Sequence, residues 1–139
     1  RTRLHSQYDH GAEAQESKIA GREPVVLHPE DAAARGIRDG DVVRLFNDRG
    51  ACLAGAVLSD AVRPGVVQLA TGAWFDPVKP GQSGSLDKAG NPNLLTPDHG
   101  TSSLAQACAA ESTLIEVERF EGEPPPVTAY SPPPIERRD

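Results

Sequence analysis

Histidine, cysteine and serine are the residues through which a chain this small most readily does chemistry, and here their spacing offers little. His5 and Ser6 are adjacent. Neighbours in an extended segment point to opposite sides, so the two form no nucleophile–base dyad. His5, His10, His28 and His99 share no metal-ligand spacing. Cys52 and Cys108 form no CxxC pair and read as buried free thiols. Neither GxGxxG nor GxxxxGKS/T occurs, so no glycine loop is set to cradle phosphate. Gly84-Ser85 has the form of a self-cleaving pyruvoyl precursor, but such pairs are common in loops and the loop reading is preferred. What remains is a set of neutral polar groups: His5, Ser6, Gln7, Asn91, Asn93, Thr96, Thr101, Ser102 and Gln106. Amides, hydroxyls and backbone groups of this kind match the donor and acceptor edges of a pterin or guanine ring without adding charge. No catalytic residue and no metal ligand is assigned.

Positioning such groups falls to a β-rich unit that begins at Glu23. Val25-Val26-Leu27 has strand composition, and His28-Pro29-Glu30-Asp31 sets proline and acids where a helix begins. That helix continues to Arg35. Gly36 is expected as its left-handed C-terminal residue, with Ile37 folding back as the apolar contact. Asp39-Gly40-Asp41 turns the chain into the strand Val42 to Phe46, and Asn47-Asp48-Arg49-Gly50 joins this to a returning strand from Ala51 to Leu58. Arg63-Pro64-Gly65 marks the next reversal before Val66 to Leu69. Four short strands and one helix between 25 and 69 have the spacing of a small closed barrel. Gly72-Ala73-Trp74-Phe75-Asp76-Pro77 then interrupts the pattern with the only tryptophan. Residues 79–92 read as a loop, Thr101-Ser102-Ser103 as the cap of a short helix through Ala110, and Thr113 to Phe120 as a closing strand with Ile115 and Val117 on one face.

The chain has 139 residues with 37% apolar and 4% aromatic content, enough for one domain with a modest core. A net charge of −6 without basic clusters argues against a duplex nucleic-acid surface. No apolar run is long enough to cross a bilayer, so no membrane insertion is expected. The chain opens without methionine on Arg1-Thr2-Arg3-Leu4 and reads as a piece of a longer polypeptide.

Several segments together resemble a known family. They are Arg3-Leu4-His5-Ser6-Gln7, Gly21-Arg22-Glu23-Pro24, the run from His28 to Val43, Phe46-Asn47-Asp48-Arg49-Gly50, Ala54-Gly55-Ala56-Val57, Arg63-Pro64-Gly65-Val66-Val67, Gly72 to Pro77, Asn93-Leu94-Leu95-Thr96 and Gly100 to Gln106. Over residues 3–120 the chain resembles the C-terminal cofactor-binding domain of the dimethyl sulfoxide reductase family of molybdenum enzymes, nearest the branch of biotin sulfoxide and trimethylamine N-oxide reductases. The resemblance implies a mainly β fold, a six-stranded double-psi β-barrel with short helices. It implies bis(molybdopterin guanine dinucleotide) molybdenum as cofactor, held jointly with preceding domains of the same polypeptide, one of which supplies the molybdenum ligand. It implies reduction of an S-oxide or N-oxide by oxygen-atom transfer in the intact enzyme, with this domain inactive alone. His5, Ser6, Gln7, Trp74, Asn93 and Gln106 are the implied cofactor contacts. Ala107-Cys108-Ala109-Ala110-Glu111 departs from the small polar residues usual in the family.

The expected division is an N-terminal arm over 1–22 lying on a partner surface, the barrel over 23–121, and a proline-rich disordered tail over 122–139. A cytoplasmic location is expected from likeness to the biotin sulfoxide branch, or a periplasmic one if the parent carries a twin-arginine leader. A stand-alone double-psi barrel binding a protein partner is the rival, which the tail favours. A small independent hydrolase ranks last for want of a nucleophile and base.

Overall fold

The computed structural model describes residues 6–107, 113–132 and 135. His5 and Cys108 lie outside these residues, as does the C-terminal part of the helix expected to reach Ala110.

The fold is mainly β, with one five-stranded sheet and a few short helices. Its centre is the hairpin of β2 (Val42–Phe46) and β3 (Ala51–Leu58), paired antiparallel from Phe46↔Ala51 to Val42↔Gly55. Asn47 N donates to Gly50 O at 3.0 Å to close the turn, and the Asn47 carboxamide accepts from Arg49 N. Strand β2 alternates so that Val43 and Leu45 are fully buried. Residues 51–56 of β3 are buried on both faces, which is why they are nearly all small. One face holds Cys52, Ala54 and Ala56 in the main core, and Ile19 lies against the Gly55 backbone on the other.

Strand β1 (Pro24–Leu27) runs parallel to the second half of β3, from Pro24↔Gly55 to Leu27↔Leu58. Helix α2 (Pro29–Ala34) is part of the crossover that a parallel neighbour requires. His28 caps this helix by accepting from Glu30 N, and the end is closed as expected: Gly36 adopts φ +64° while Ile37 N reaches back to Ala32 O at 2.9 Å, burying Ile37. Strand β4 (Val67–Leu69) pairs antiparallel with β1, and β5 (Glu116–Arg119) antiparallel with β2, giving the order β4-β1-β3-β2-β5. The two outer strands converge. A groove of about 340 Å³ is lined by Val66 and Val67 from one side and by Leu114, Ile115 and Val117 from the other, so the sheet curls into a half-barrel.

Three expectations need adjustment. The described residues hold five strands where six were expected, although Asp87 bridges to Cys52 beside the first half of β3, which β1 does not reach. Residues 101–107 are not helical: Thr101 N and Ser102 N bond back to Ala107 O and Ala105 O, while the Ser102 hydroxyl accepts from Ala105 N. These local serine and threonine bonds compete with the helical pattern. The tail has no helix or strand among its described residues, yet it is not loose, because Pro125, Thr128, Ala129 and Tyr130 are hydrogen-bonded to the rest of the chain.

Candidate functional site

The arm, the loop after β4 and the tail meet in a buried polar cluster built on three aspartates. In the arm a 3-10 turn (Ser6–Tyr8) is followed by helix α1 (Ala12–Glu16), whose Ala14 is buried. Between them Asp9, fully buried, accepts from Trp74 N at 3.1 Å and from the Tyr130 hydroxyl, and pairs with Lys18 Nζ at 2.9 Å. Burial pushes its carboxyl pKa up, but the Tyr130 and Lys18 bonds outweigh that and hold it below the ordinary value.

Two residues beyond Trp74, Asp76 accepts from Thr128 N at 2.6 Å, the Thr128 hydroxyl at 2.8 Å and Ala129 N at 3.0 Å. Lys88 Nζ pairs with it at 3.1 Å. Here too burial pushes up, and the Thr128 and Lys88 contacts bring the carboxyl below its usual range. Among the described residues Asp87 forms no direct ion pair, although the buried Arg22 guanidinium lies close enough to interact with its charge. The Asp87 carboxylate accepts from Asp76 N at 2.7 Å, Gly90 N and Asn91 N at 2.8 Å and Ala89 N at 3.2 Å. Burial is the larger influence and raises its pKa against the pull of those four amides. Arg22 is buried beside them, bonded to Ala20 O and Pro125 O.

Over this base lies an aromatic surface. The rings of His10 and Trp74 stack at 5.8 Å, those of His10 and Tyr130 at 5.7 Å, and Trp74 and Tyr130 meet at 5.4 Å. Trp74 Nε1 donates to Ser6 O at 2.6 Å, so two of the expected contact residues are joined, with exposed Gln7 beside them. Tyr8 and Phe75 are more than half exposed nearby in sequence.

The other expected residues sit elsewhere in the chain. Asn93 lies on a 3-10 turn (Pro92–Leu94) capped by Asn91, packed under the β2–β3 turn where Gly50 meets Leu94 O. Asn47 binds that segment through Leu95 O. The Gln106 amide folds back to Ser102 O within its own loop. Among the described residues no hydrogen bond or ring contact joins Asn93 or Gln106 to Ser6 or Trp74, and no group of three His, Cys, Asp or Glu is arranged to hold a metal. Cys52 is buried and free, its thiol pushed up to about 12 by burial and by Asp87.

Residues 1–114 match the family model described as the Molydopterin dinucleotide binding domain. The chain belongs to this family. It is 56% identical over 121 residues to trimethylamine-N-oxide reductase 1 of Escherichia coli K12, covering 86% of this chain and 14% of that protein. To the dimethyl sulfoxide/trimethylamine N-oxide reductase of Cereibacter sphaeroides it is 48% identical over 133 residues, 96% of this chain and 16% of the other. The chain thus spans about one-sixth of these relatives' length. Acetylene hydratase from Pelobacter acetylenicus shares the fold with a TM-score of 0.63 at 15% identity, over 86% of this chain and 17% of that one.

The side chains suit a molydopterin dinucleotide binding domain. The Gln7 and Asn93 carboxamides are exposed and bond no other group among the described residues, and a carboxamide carries both a donor and an acceptor. Sequence reasoning missed Asp9, Asp76, Asp87 and Tyr130. Asp87-Lys88-Ala89-Gly90-Asn91 carries the one legible signal, an aspartate followed at short range by a glycine (φ +92°) that lets successive amides turn toward it.

Proposed function

We propose that this chain holds one side of bis(molybdopterin guanine dinucleotide) molybdenum in an enzyme that reduces an S-oxide or N-oxide of the trimethylamine N-oxide, dimethyl sulfoxide or biotin sulfoxide type. The observation that carries the proposal is the family match over residues 1–114, joined to identities near one-half with reductases of N- and S-oxides. When bound, the cofactor supplies two-electron oxygen-atom transfer at its metal, whose protein ligand belongs to preceding domains of the same polypeptide. This chain's part is binding and orientation. Gln7 and Asn93 meet the ring edges through their carboxamides. Trp74, its Nε1 already bonded to Ser6 O, acts through its ring face. His5 continues the Ser6–Gln7 contact, and Gln106 joins once its amide leaves Ser102 O.

The same reading assigns a six-stranded double-psi barrel. The parallel β1–β3 pair in an otherwise antiparallel sheet, the Asp87 bridge beside β3 and the groove between β4 and β5 support it. A protein-binding barrel loses its motive, since the tail that favoured it is bonded to its own chain through Pro125, Thr128, Ala129 and Tyr130.

In the full-length enzyme, Asn93→Ala is expected to lower molybdenum and guanine-pterin per polypeptide while leaving the melting temperature in place. Normal cofactor content in the purified variant would remove Asn93 from the site.

A further inference from the structure

We propose that residues 125–130 form a clasp that positions the Ser6–Trp74 surface, making the tail part of the cofactor-holding device. The inference rests on the cofactor reading above.

The geometry is specific. The tail grips the Gly72–Pro77 segment at two points: directly at Asp76, which takes three donors from Thr128 and Ala129, and through Asp9, which receives the Tyr130 hydroxyl together with Trp74 N. Trp74 lies between these points. Its ring meets the Tyr130 ring at 5.4 Å on one side, and its Nε1 fixes Ser6 O on the other. Lys18 completes the arrangement, pairing with Asp9 and lying 5.5 Å above the Tyr130 ring. Arg22 and Lys88 add bonds to Pro125 O and the Thr128 hydroxyl. Hydrogen bonds to buried charged groups are among the stronger ones a protein makes, and a carboxylate that loses its donors is left costly in place. Without the tail, Asp76 loses three donors and Asp9 one, so the segment carrying Trp74 is released from the arm.

Two truncations and two point variants test this. Ending the full-length enzyme after Ser131 leaves every named clasp bond intact and is expected to retain cofactor like the parent. Ending it after Glu123 is expected to speed loss of guanine-pterin and molybdenum on dilution by about tenfold, the scale of one lost bond to a charged group. Tyr130→Phe keeps the ring and deletes only the hydroxyl, with an expected increase of about threefold. In the full-length enzyme Tyr130→Phe is expected to keep the parent's cooperative melt, so that its faster cofactor release is separated from unfolding. Should the enzyme ending after Glu123 fail to fold, Tyr130→Phe decides alone.

Unchanged cofactor release in Tyr130→Phe overturns the clasp. Trp74→Ala separates the two levels. If it holds cofactor normally, the reading of the site fails. If it loses cofactor while the tail variants do not, only the clasp fails.

Discussion

Strand β3 and the segment around Asp87 lie side by side, Leu53 N donating to Asp87 O at 2.9 Å and Asp87 N to Ala51 O at 3.1 Å, yet unlike forces hold them. The strand is a run of small apolar residues whose ladders and burial carry it, and its polar groups are all main chain. The neighbouring segment is organised by a buried carboxylate that collects four amides. Apolar burial degrades gradually when an atom is removed, whereas a polar centre leaves several donors unsatisfied at once. The sheet is therefore the tolerant part of this molecule and the aspartate cluster the brittle part. That is the reverse of what an exposed, proline-rich tail and a glycine-rich loop imply.

The sharpest way to break this contrast is Asp87→Ala. Four amides lose their acceptor in a site with no solvent, at an expected cost of about 3–5 kcal/mol, read as a shift in the urea midpoint at constant slope. A loss below about 1 kcal/mol would put Asp87 on the same footing as a surface residue and end the contrast.

Acid is the next test, and the three aspartates respond with opposite signs. Asp9 and Asp76 have folded pKa values below the ordinary 3.8, so each contributes stability that is fully present above 3.8 and lost as pH falls through its lowered folded value. Asp87 has a raised folded value, so its contribution is present below 3.8 and lost as pH rises through that higher value. The expected profile is a fall in unfolding free energy on acidification below 3.8, flattened in an Asp9→Asn, Asp76→Asn double variant that still folds. A profile equally steep in the double variant would move the acid sensitivity to other groups.

Most of the sheet was legible because its signals are local. The Asn47–Gly50 turn, the alternation in Val42–Phe46 and the Pro29-to-Gly36 helix signals each act within a few residues of themselves. The aspartate cluster was not, since Asp9 meets Tyr130 across 121 positions and Asp76 meets Thr128 across 52, and nothing near an aspartate says that it will be buried. The candidate site was half legible. Resemblance supplied Ser6 and Trp74, which the fold joins, but gave no hint that a tail residue holds them. Residues 101–107, where the expected helix was to begin, are not helical for a local reason, the Ser102 hydroxyl offering the backbone another partner.

Gly55→Ala probes the tolerant side. A β-carbon there would stand 2.3 Å from Ile19 Cβ, so the arm has to shift, at about 1–3 kcal/mol. Adding Ile19→Gly is expected to return part of that loss, because the clashing atoms, Ile19 Cβ, Cγ2 and Cγ1, all belong to one side chain and not to the strand. If the double variant is no more stable than the single one by thermal melt, the strain lies in the β1–β3 pairing and the sheet is less forgiving than proposed.

The smallest effect isolates burial from charge. Arg44 and Glu118 face each other across β2 and β5 at 2.9 Å, the same separation as Lys18 and Asp9. Their side chains are 38% and 51% exposed, against 1% and 0% for the buried pair. Water and salt screen the first pair, and holding two long side chains in one geometry offsets much of its attraction, leaving about 0–1 kcal/mol. Breaking the second leaves an ion without its partner in a site that excludes solvent. Glu118→Gln is therefore expected to move the urea midpoint little, and less still in 1 M salt, while Lys18→Met moves it strongly at any salt concentration. Equal losses from the two variants would mean that geometry of the ion pair, not its removal from water, sets the strength of the clasp.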